Sequence, residues 1–450
     1  MPGVERIAVS CLALACGAGC GSSEPDPPPD ATPIAVREDV TVPAGTVAVT
    51  LGFDDSFATH AMAADMLEAH GMRGTFYVIL SRLGGEDHLT VEQVHDLGVR
   101  GHEIAGHTFT HRNLPMLPLD EATRELCDAR VAMAELGWPV ESFAYPFGEL
   151  SDELQDAARD CGYSSARRVG GVYDAEVCQA CPKAESIPPV LPFDVQTPTS
   201  VTPETTLETM QSWVTEAEAA GGGWIDIVYH SVCDDCAPNA VSPAVLEGFL
   251  AWLESREGDG VIVATADQVV GGATGAVVVG PPPARTIDPE QMLANPSLET
   301  WEDPAQPPEC WIHGPEDERE TWTRTGDAYA GSYAQEVTVT VPEGEKPTTR
   351  LVTAQDMGTC AIPAVPGQCF TFKARYKGTA IVEPVAYVRD HLGNWRSWTH
   401  GPYFAAEDDW TEARWETIGV PDDGTAVSFG LTLFDGGEVF FDDLSLGPRD

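Results

Sequence analysis

Two adjacent carboxylates follow directly on an apolar run near the start of this sequence. The stretch LGFDD ends in Asp54 and Asp55, and residues 47–53 have the pattern of a buried strand. Two like charges side by side repel, so one interpretation is a solvated acidic loop. The other is a site where one carboxylate binds a cation while the other contacts the water molecule that the cation holds.

Two histidines with the spacing of metal ligands follow a later strand pattern. GHTFTHRNL contains His107 and His111 at positions i and i+4, and His230 ends another apolar run in IVYHSV. Two imidazoles and a carboxylate are typical ligands for zinc or a similar divalent ion that keeps an open position for water. A zinc protease needs glutamate where Thr108 stands, so that kind of site is excluded. Each fragment alone is weak, but together they predict a divalent-metal site.

The elements that must position these residues alternate between strand and helix. Strand patterns occur at residues 47–53, 73–80, 102–108, 141–148, 224–232 and 261–270, and helical patterns at 57–71, 120–136 and 151–162. Such alternation predicts an α/β fold with a parallel sheet, either open or closed into a barrel. The polar residues collect where strands end, which is where barrel active sites lie.

Residues 45–270 resemble the polysaccharide deacetylase family, the NodB-homology domain, on the strength of FDD and HTFTH. The resemblance implies a distorted (β/α) barrel that removes acetyl groups from N-acetylated polysaccharide with a divalent metal, most often zinc. It implies that Asp54 is the general base. It also implies that Asp55, His107 and His111 bind the metal.

The same resemblance assigns the remaining catalytic groups. It implies that His230 protonates the leaving amine, which cannot depart without a proton. It implies that Phe147 of FAYPFG offers its backbone N–H to the oxyanion, which needs a donor besides the metal. Tyr145 and Pro146 of that motif are expected to contact substrate.

The sequence departs from the family at the arginine that orients the base, because Ala144 stands at that position. Arg167 and Arg168, which end the next strand pattern, are both candidates to replace it, and Arg167 is also expected at the substrate. Asp194 is a candidate for the aspartate that supports the catalytic acid in the family.

A Gly/Pro-rich linker at residues 271–290 separates this region from a second one with a different pattern. Alternating runs predict an antiparallel β-sandwich over residues 291–450. Its ends, NPSLETW and VFFDDLSL, resemble jelly-roll carbohydrate-binding modules. Trp395 and Trp398 stand among polar residues and are expected to stack on sugar rings, with an ordinary hairpin as the alternative. Deletion of residues 288–450 is expected to leave turnover of small oligomers nearly unchanged while lowering activity on insoluble polymer.

A structural calcium ion is a further expectation for the second region. Glu299 and Asp442, near its two ends, are the candidate ligands.

The N-terminus has the pattern of an exported protein. Residues 1–20 resemble a bacterial lipoprotein signal, with Cys20 as the lipidated residue and Cys16 as the alternative. Residues 21–44 are predicted to form a flexible, Pro-rich tether. We expect a monomer anchored to the cell envelope by lipid only, and secretion is the alternative.

Charge and cysteine content narrow the possible partners and the compartment. The 71 acidic and 25 basic residues give a net charge of −46, which argues against a nucleic-acid partner. Outside the predicted leader the cysteines are odd in number, and export makes disulfides the default expectation. The two CxxC pairs, Cys178/Cys181 and Cys233/Cys236, are expected to form disulfides, with a zinc knuckle as the alternative. Cys127 and Cys161 are candidates for a third bridge.

Three functions compete on this evidence. The favoured one is metal-dependent deacetylation of an N-acetylated glycan such as a chitin-like polymer, poly-N-acetylglucosamine or peptidoglycan, with O-deacetylation also open. The second is a catalytically inactive, glycan-binding surface lipoprotein, which only Ala144 supports. A mononuclear iron oxygenase ranks last, because the β-sandwich that usually holds its ligand set is not predicted around these residues.

Overall fold

The computed structural model describes residues 32–34, 40–234, 236–271, 274–314, 319–341 and 349–449. The predicted leader lies outside these residues, and so does lipidation at Cys20 or Cys16. Within the described ranges, no helix is both long enough and apolar enough to cross a membrane.

The first domain is a parallel sheet curved into a half-barrel and covered by helices. Its strands run in the order β10-β1-β2-β3-β4-β5-β6, and β7 pairs with the other side of β1. Among the described residues no ladder joins β6 to β7, so the barrel is open there. The predicted distorted (β/α) barrel is confirmed. The strands are β1 (Val47–Asp54), β2 (Thr75–Val78), β3 (Glu103–Gly106), β4 (Ser142–Ala144), β5 (Ser165–Gly171), β6 (Val195–Thr197), β7 (Gly223–Tyr229) and β10 (Val261–Val263), with a separate short pair β8 (Ser231–Val232) and β9 (Ala240–Val241).

The helices lie between the strands as the alternating pattern predicts. One part of that prediction is wrong, because residues 261–270 are not a single strand. The Thr265 N–H donates to Gln268 Oε1 at 3.2 Å, which caps a new helical turn and ends the strand early. The helices are α1 (His60–Ala69), α2 (Val91–Val99), α3 (Leu119–Glu135), α4 (Asp152–Asp160), α5 (Leu207–Ala220), α6 (Pro243–Arg256) and α7 (Ala266–Val270).

Alternation along the central strand divides its side chains between two environments. Leu51 and Phe53 belong to the main apolar core beneath the helices. Thr50, which precedes them, faces the opposite side, the barrel interior, where its Oγ1 accepts the Trp224 indole N–H at 2.9 Å. Asp54 continues this inner face at the carboxyl end of β1. The fold therefore directs Asp54 into the barrel mouth.

The end of the predicted tether is packed against the first domain. Ile34 is buried and contacts α2 at Gly98. The Val40 N–H donates to the Gln268 carbonyl at 3.1 Å. These apolar side chains fill gaps at the edge of the core, so residues 40–44 are not a free tether.

The second domain is the expected antiparallel sandwich. One sheet has the order β11-β14-β20-β17-β18, with β15 also paired to β20, and the other has the order β12-β13-β21-β16-β19. Their inner faces meet around Phe370, Phe372 and Phe429. The strands are β11 (Trp311–His313), β12 (Glu320–Thr325), β13 (Ala334–Val339), β14 (Arg350–Thr353), β15 (Ile362–Pro363), β16 (Phe370–Gly378), β17 (Val382–Arg389), β18 (Trp395–His400), β19 (Glu407–Glu416), β20 (Ala426–Leu433) and β21 (Gly437–Pro448).

The Gly/Pro-rich linker is bound along the first domain. The Gly280 N–H donates to Asp128 Oδ1 of α3 at 2.8 Å, and the Gly275 N–H donates to the Gly162 carbonyl at 3.0 Å. Arg130 of α3 donates to the Ala276 carbonyl at 3.1 Å. The described part of the linker is therefore held in place by α3 and by Gly162, two residues after α4.

Four disulfides connect eight of the nine described cysteines, and three of them match the predicted pairs. Both CxxC motifs are closed by a disulfide, which overturns the zinc-knuckle alternative. Disulfides of this number are typical of proteins that fold in an oxidising compartment. The fourth bridge, in the second domain, was not predicted. The pairs are Cys127–Cys161, Cys178–Cys181, Cys233–Cys236 and Cys310–Cys360.

Candidate active site

Three predicted metal ligands converge at the carboxyl ends of β1 and β3. Asp55, His107 and His111 each offer one ligand atom, and these atoms lie within 4.8 Å of one another. His111 Nε2 is 3.2 Å and His107 Nε2 is 3.7 Å from Asp55 Oδ1. Residues at these positions meet because parallel neighbouring strands end at the same edge of the sheet.

The loops that carry the ligands adopt a backbone conformation that is uncommon outside glycine. Asp55, Thr108 and His111 have φ values of 78°, 67° and 61°. Thr108 Oγ1 accepts the His111 N–H at 2.8 Å and so closes the loop on itself. Such conformations persist only where the surroundings hold them, and they are frequent at functional sites.

Glu125 of α3 is the residue that holds the histidine loop, and the sequence analysis missed it. Its Oε2 accepts the backbone N–H groups of Phe109 at 3.0 Å and Thr110 at 2.8 Å, and its Oε1 accepts the Thr110 hydroxyl. The carboxylate is fully buried, and burial raises its pKa. A glutamate on the apolar face of α3 was the available signal in the sequence.

The imidazoles have the orientation and charge that a metal requires. His107 Nδ1 lies 2.7 Å from the Ala144 carbonyl, to which it donates, and this leaves Nε2 facing Asp55. Burial, and then the neighbouring His111, lower the pKa of His107 to about 3. Burial also lowers the pKa of His111. Both rings are therefore neutral ligands at physiological pH.

The third ligand has a buried oxygen that nothing in the described structure satisfies. Asp55 Oδ1 has no hydrogen-bond partner among the described residues, and the nearest cation is Arg82 Nη1 at 3.4 Å. Buried polar atoms are normally bonded, so an orphan oxygen facing two neutral imidazoles calls for a cation. The donor set fits a divalent ion of the zinc type.

Arg167 stands in for the arginine that is missing from the proline motif. Its Nη2 donates to Asp54 Oδ1, and both side chains are almost fully buried. Ala144 and Arg167 are direct partners in the β4–β5 ladder, so the guanidinium enters from the neighbouring strand at the same level. Arg168 points outward, with Nη1 3.5 Å from Asp194 Oδ1. Of the two candidate arginines, the structure brings only Arg167 to the base, where it contacts Asp54 instead of lying on an exposed substrate surface.

Asp226 is a second carboxylate bound to this arginine, and the sequence analysis did not single it out. Arg167 Nε lies 3.6 Å from Asp226 Oδ2, and the guanidinium carbon lies 4.2 Å from the centre of the Tyr77 ring. Burial raises the pKa of Asp226 to about 7, and the positive charge of Arg167 opposes that rise. Asp226 is a carboxylate in an apolar strand, four residues before His230, and residues at even spacing lie on the same face of a strand. This pattern was the signal in the sequence that was missed.

The absence of a side chain at Gly52 makes room for this buried pair. A Cβ atom at Gly52 would lie 3.1 Å from Asp226 Oδ1 and 3.3 Å from the Tyr77 ring. A larger residue there would push against both groups. The small residues Gly52 and Ala144 therefore lie beside the buried Arg167 and Asp226.

His230 lies next to Asp54 across the β1–β7 ladder. Phe53 pairs with Tyr229, so the residues that follow them emerge side by side at the barrel mouth. His60 Nε2 lies 3.0 Å from the His230 carbonyl, and burial lowers the pKa of His60 to about 4, so a neutral His60 ring donates this bond. Among the described residues, His230 Nδ1 has no hydrogen-bond partner. Asp194, predicted to support the acid, pairs with Arg168 instead.

The proline motif presents one residue to the site and buries two. Phe147 is 62% exposed with φ at 61°, and its ring centre lies 4.7 Å from that of His111. Tyr145 is 1% exposed, and its hydroxyl donates to the Phe193 carbonyl at 3.1 Å. Pro146 is buried as well. Neither the Tyr145 nor the Pro146 side chain reaches the surface, and their contact with substrate stays a prediction.

The two candidate tryptophans of the sandwich have different surroundings. Trp398 packs against the sandwich core, with its ring centre 6.2 Å from that of Phe429. Trp395, at the start of the same strand, lines a cleft between the domains beside Arg112. Only Trp395 is therefore placed near the residues that flank the metal ligands.

The two candidate calcium ligands bind the same loop of the sandwich. Glu299 Oε1 accepts the N–H groups of Ser332 at 2.7 Å and Tyr333 at 3.0 Å. Asp442 Oδ2 accepts the Tyr329 N–H at 2.7 Å. Both carboxylates thus already hold backbone donors, and a calcium ion there stays a prediction.

Comparison with known proteins agrees with this arrangement over part of the chain. Residues 41–166 match the polysaccharide deacetylase family model. A curated relative from Bacillus subtilis (strain 168), "Putative polysaccharide deacetylase YxkH", is 28% identical over 117 residues. The match covers 26% of this chain and 42% of the relative, so the chain spans less than half of that protein's length.

Solved structures with similarity were found for each domain. The Xyl-CE4 domain of a multidomain xylanase from the hindgut metagenome of Trinervitermes trinervoides is 17% identical, with 50% of this chain and 89% of that chain covered and a TM-score of 0.34. The xylan-binding CBM22-1 domain of Paenibacillus barcinonensis Xyn10C is 11% identical. The match covers 34% of this chain and 90% of that chain, with a TM-score of 0.25. Scores this low carry no argument about function. Residues 41–166, which match the polysaccharide deacetylase family model, include β1 to β4 of the half-barrel that holds the site.

Proposed function

We propose that this protein is a metal-dependent hydrolase that removes acetyl groups from an N-acetylated polysaccharide. The observation that carries the proposal is the convergence of Asp55, His107 and His111 beside a buried Asp54 held by Arg167. The inactive, glycan-binding alternative rested on Ala144 alone. Because Arg167 occupies the partner position of Ala144 in the ladder, that support is removed.

The residues around the ligands divide the work of hydrolysis. A divalent cation, most suitably zinc, would polarise the acetyl carbonyl and lower the pKa of the attacking water toward ~7. Asp54 accepts the proton of that water, and the Arg167 guanidinium fixes the carboxylate for this task. The Phe147 backbone N–H donates to the oxyanion, and His230 gives its proton to the departing amine.

The setting of the reaction follows from the same residues and from the N-terminus. We infer an exported protein, lipid-anchored at Cys20, whose substrate is a chitin-like polymer, poly-N-acetylglucosamine or peptidoglycan, with O-acetyl esters also open. The sandwich would hold the polymer, with Trp395 as its candidate contact and a structural calcium ion as a separate proposal. Four disulfides support an oxidising compartment.

The test is acetate release from these glycans by metal-loaded protein, with and without a chelator. Asp54→Asn should keep the metal and lose turnover by about 10²–10⁴-fold, the usual share of general base catalysis. Asp55→Asn should lose metal affinity, so part of its activity should return in excess metal. If both variants keep wild-type turnover and metal content, the carboxylate pair takes no part in catalysis or metal binding and the proposal is wrong.

A further inference from the structure

A polar cleft of about 370 Å³ lies between the two domains. Ser81, Thr110 and Arg112 line it from the first domain. Asn394 and Trp395 line it from the second. Its volume lies in the range of ligand sites, about 300–1,000 Å³.

The cleft begins at the rim of the metal site. Thr110 and Arg112 are the two sequence neighbours of His111, and Ser81 precedes Arg82, whose Nη1 lies 3.4 Å from Asp55 Oδ1. Consecutive Cα atoms are about 3.8 Å apart, so one wall of the cleft starts one residue from His111, and another starts one residue from Arg82, which contacts Asp55. A polymer whose acetyl group is at the metal must cross the rim of the site, and the cleft offers a path there.

The wall from the second domain is fixed onto the metal-binding loop. Gly393, at the turn between β17 and β18, has φ at +82°, and a Cβ there would lie 2.3 Å from Phe109 Cδ1. Phe109 belongs to the loop that carries His107 and His111 and is 5% exposed. Leu392 of the same turn packs against the core of the first domain. This turn is therefore part of the surroundings of the metal loop.

Buried polar contacts hold the two domains in one arrangement. Glu121 of α3 accepts the Met357 N–H at 2.6 Å and the Thr359 hydroxyl at 2.8 Å. Arg124 donates to Glu121 at 2.8 Å and to Thr359 Oγ1 at 2.9 Å. Both charged side chains of α3 are at most 3% exposed. Four buried or partly buried hydrogen bonds between these residues favour a single docking geometry of the two domains, so the cleft is pre-organised.

The lining of the cleft suits an uncharged, hydroxyl-rich ligand. Trp395 supplies a partly exposed aromatic face for the apolar side of a sugar ring. Asn394 Nδ2 donates to Asp390 Oδ2 at 3.2 Å, which fixes the Asn394 side chain. The Arg112 side chain is 44% exposed and carries several hydrogen-bond donors. Asp356 also lines the cleft, and the net charge of −46 disfavours polyanions.

We propose that this cleft is a glycan subsite shared by both domains, which binds sugar units of the polysaccharide next to the one that is deacetylated. The proposal rests on the proposed function and specifies how the substrate is held. It makes the sandwich a wall of the substrate site instead of an independent binding module.

The test compares kcat/KM for N-acetylated oligosaccharides of two lengths, a disaccharide and a hexasaccharide. In Trp395→Ala the ratio of the long to the short substrate should fall about tenfold, equivalent to ~1.4 kcal/mol. Trp395→Phe should restore much of that ratio, and Asn394→Ala should lower it. Trp410→Ala, in β19 of the opposite sheet, is the matched control and should keep the wild-type ratio.

The outcomes separate the two proposals. If all variants deacetylate both substrates with the wild-type ratio, the shared subsite is refuted and the deacetylase proposal stands. If the wild-type protein releases acetate from no glycan, the proposed function itself fails. Thermal unfolding of each variant shows whether it is folded. If Trp395→Ala does not fold, Asn394→Ala tests the subsite independently.

Discussion

Replacing Asp226 with asparagine should remove a large pH dependence from the stability of this protein. The Asp226 carboxylate is 1% exposed, lies 3.6 Å from Arg167 Nε, and has a pKa raised to about 7 by burial. Arg167 already donates to Asp54, so a single guanidinium faces two buried carboxylates. Asparagine keeps the size of the side chain and removes its titration.

The sign and size of the effect follow from the raised pKa. The stabilisation from binding the proton more tightly in the folded state is fully present below the unfolded value of 3.8 and is lost as the pH rises toward about 7. Each unit of pKa difference corresponds to about 1.4 kcal/mol, so roughly three units amount to about 4 kcal/mol. Over this pH range the free energy of unfolding of the wild type should therefore fall by about 4 kcal/mol more than the free energy of unfolding of Asp226→Asn.

Urea unfolding between about pH 4 and about pH 8 measures this difference. Chelator-treated protein should be used, so that no bound cation adds charge to the site. Asp194→Asn removes a carboxylate that contacts Arg168 and controls for the loss of one negative charge. If wild type and Asp226→Asn show the same pH dependence, Asp226 is ionised in the folded protein throughout, and Arg167 balances both carboxylates.

Two further predictions concern the loop that carries the histidines. Glu125→Gln replaces one of the two oxygens that accept the Phe109 and Thr110 N–H groups and the Thr110 hydroxyl with an NH2 group, so the loop should be held less firmly and metal affinity should fall about 10–100-fold in competition with a chelating dye. Glu135→Gln at the exposed end of α3 is the control, and an unchanged affinity of Glu125→Gln would contradict the assigned role. Gly393→Ala puts a Cβ against Phe109 and should cost about 1–3 kcal/mol in thermal unfolding. The open site Gly326→Ala should cost far less, and equal losses would show that the domains do not pack as described.

The packing of the second domain changes one expectation from the sequence. The sequence predicts a sandwich that can be deleted with little effect on turnover of small oligomers. In the structure, the turn at Gly393 covers Phe109 of the metal-binding loop, and Met357 belongs to the core of the first domain. Deletion would expose both apolar side chains, so the structure no longer supports that expectation.

The local pattern of the sequence was enough to predict that the three candidate metal ligands converge. FDD and HTFTH each follow a strand pattern, and parallel strands that alternate with helices must end at one edge of a sheet. Asp55, His107 and His111 were therefore expected to lie near each other. The two-domain architecture followed in the same way, from the change between helical and alternating patterns.

The sequence could not decide which arginine serves Asp54, or which residues of FAYPFG are exposed. Arg167 and Arg168 differ only in the face of the strand they occupy, and that face depends on the β4–β5 register that pairs Ala144 with Arg167. Tyr145 looks like a surface residue in a motif but is buried beneath the loop that contains Phe193.

The partners that hold the site come from distant parts of the chain, and only the tertiary structure identifies them. Asp226 meets Arg167 because β7 pairs with β1 across the open barrel, and Glu125 reaches the histidine loop because α3 packs against it. The turn at Gly393 reaches Phe109 from the other domain. Residue type and periodicity report the environment of one segment at a time. The register between strands and the docking of two domains depend on contacts between segments far apart in sequence, and no single segment encodes them.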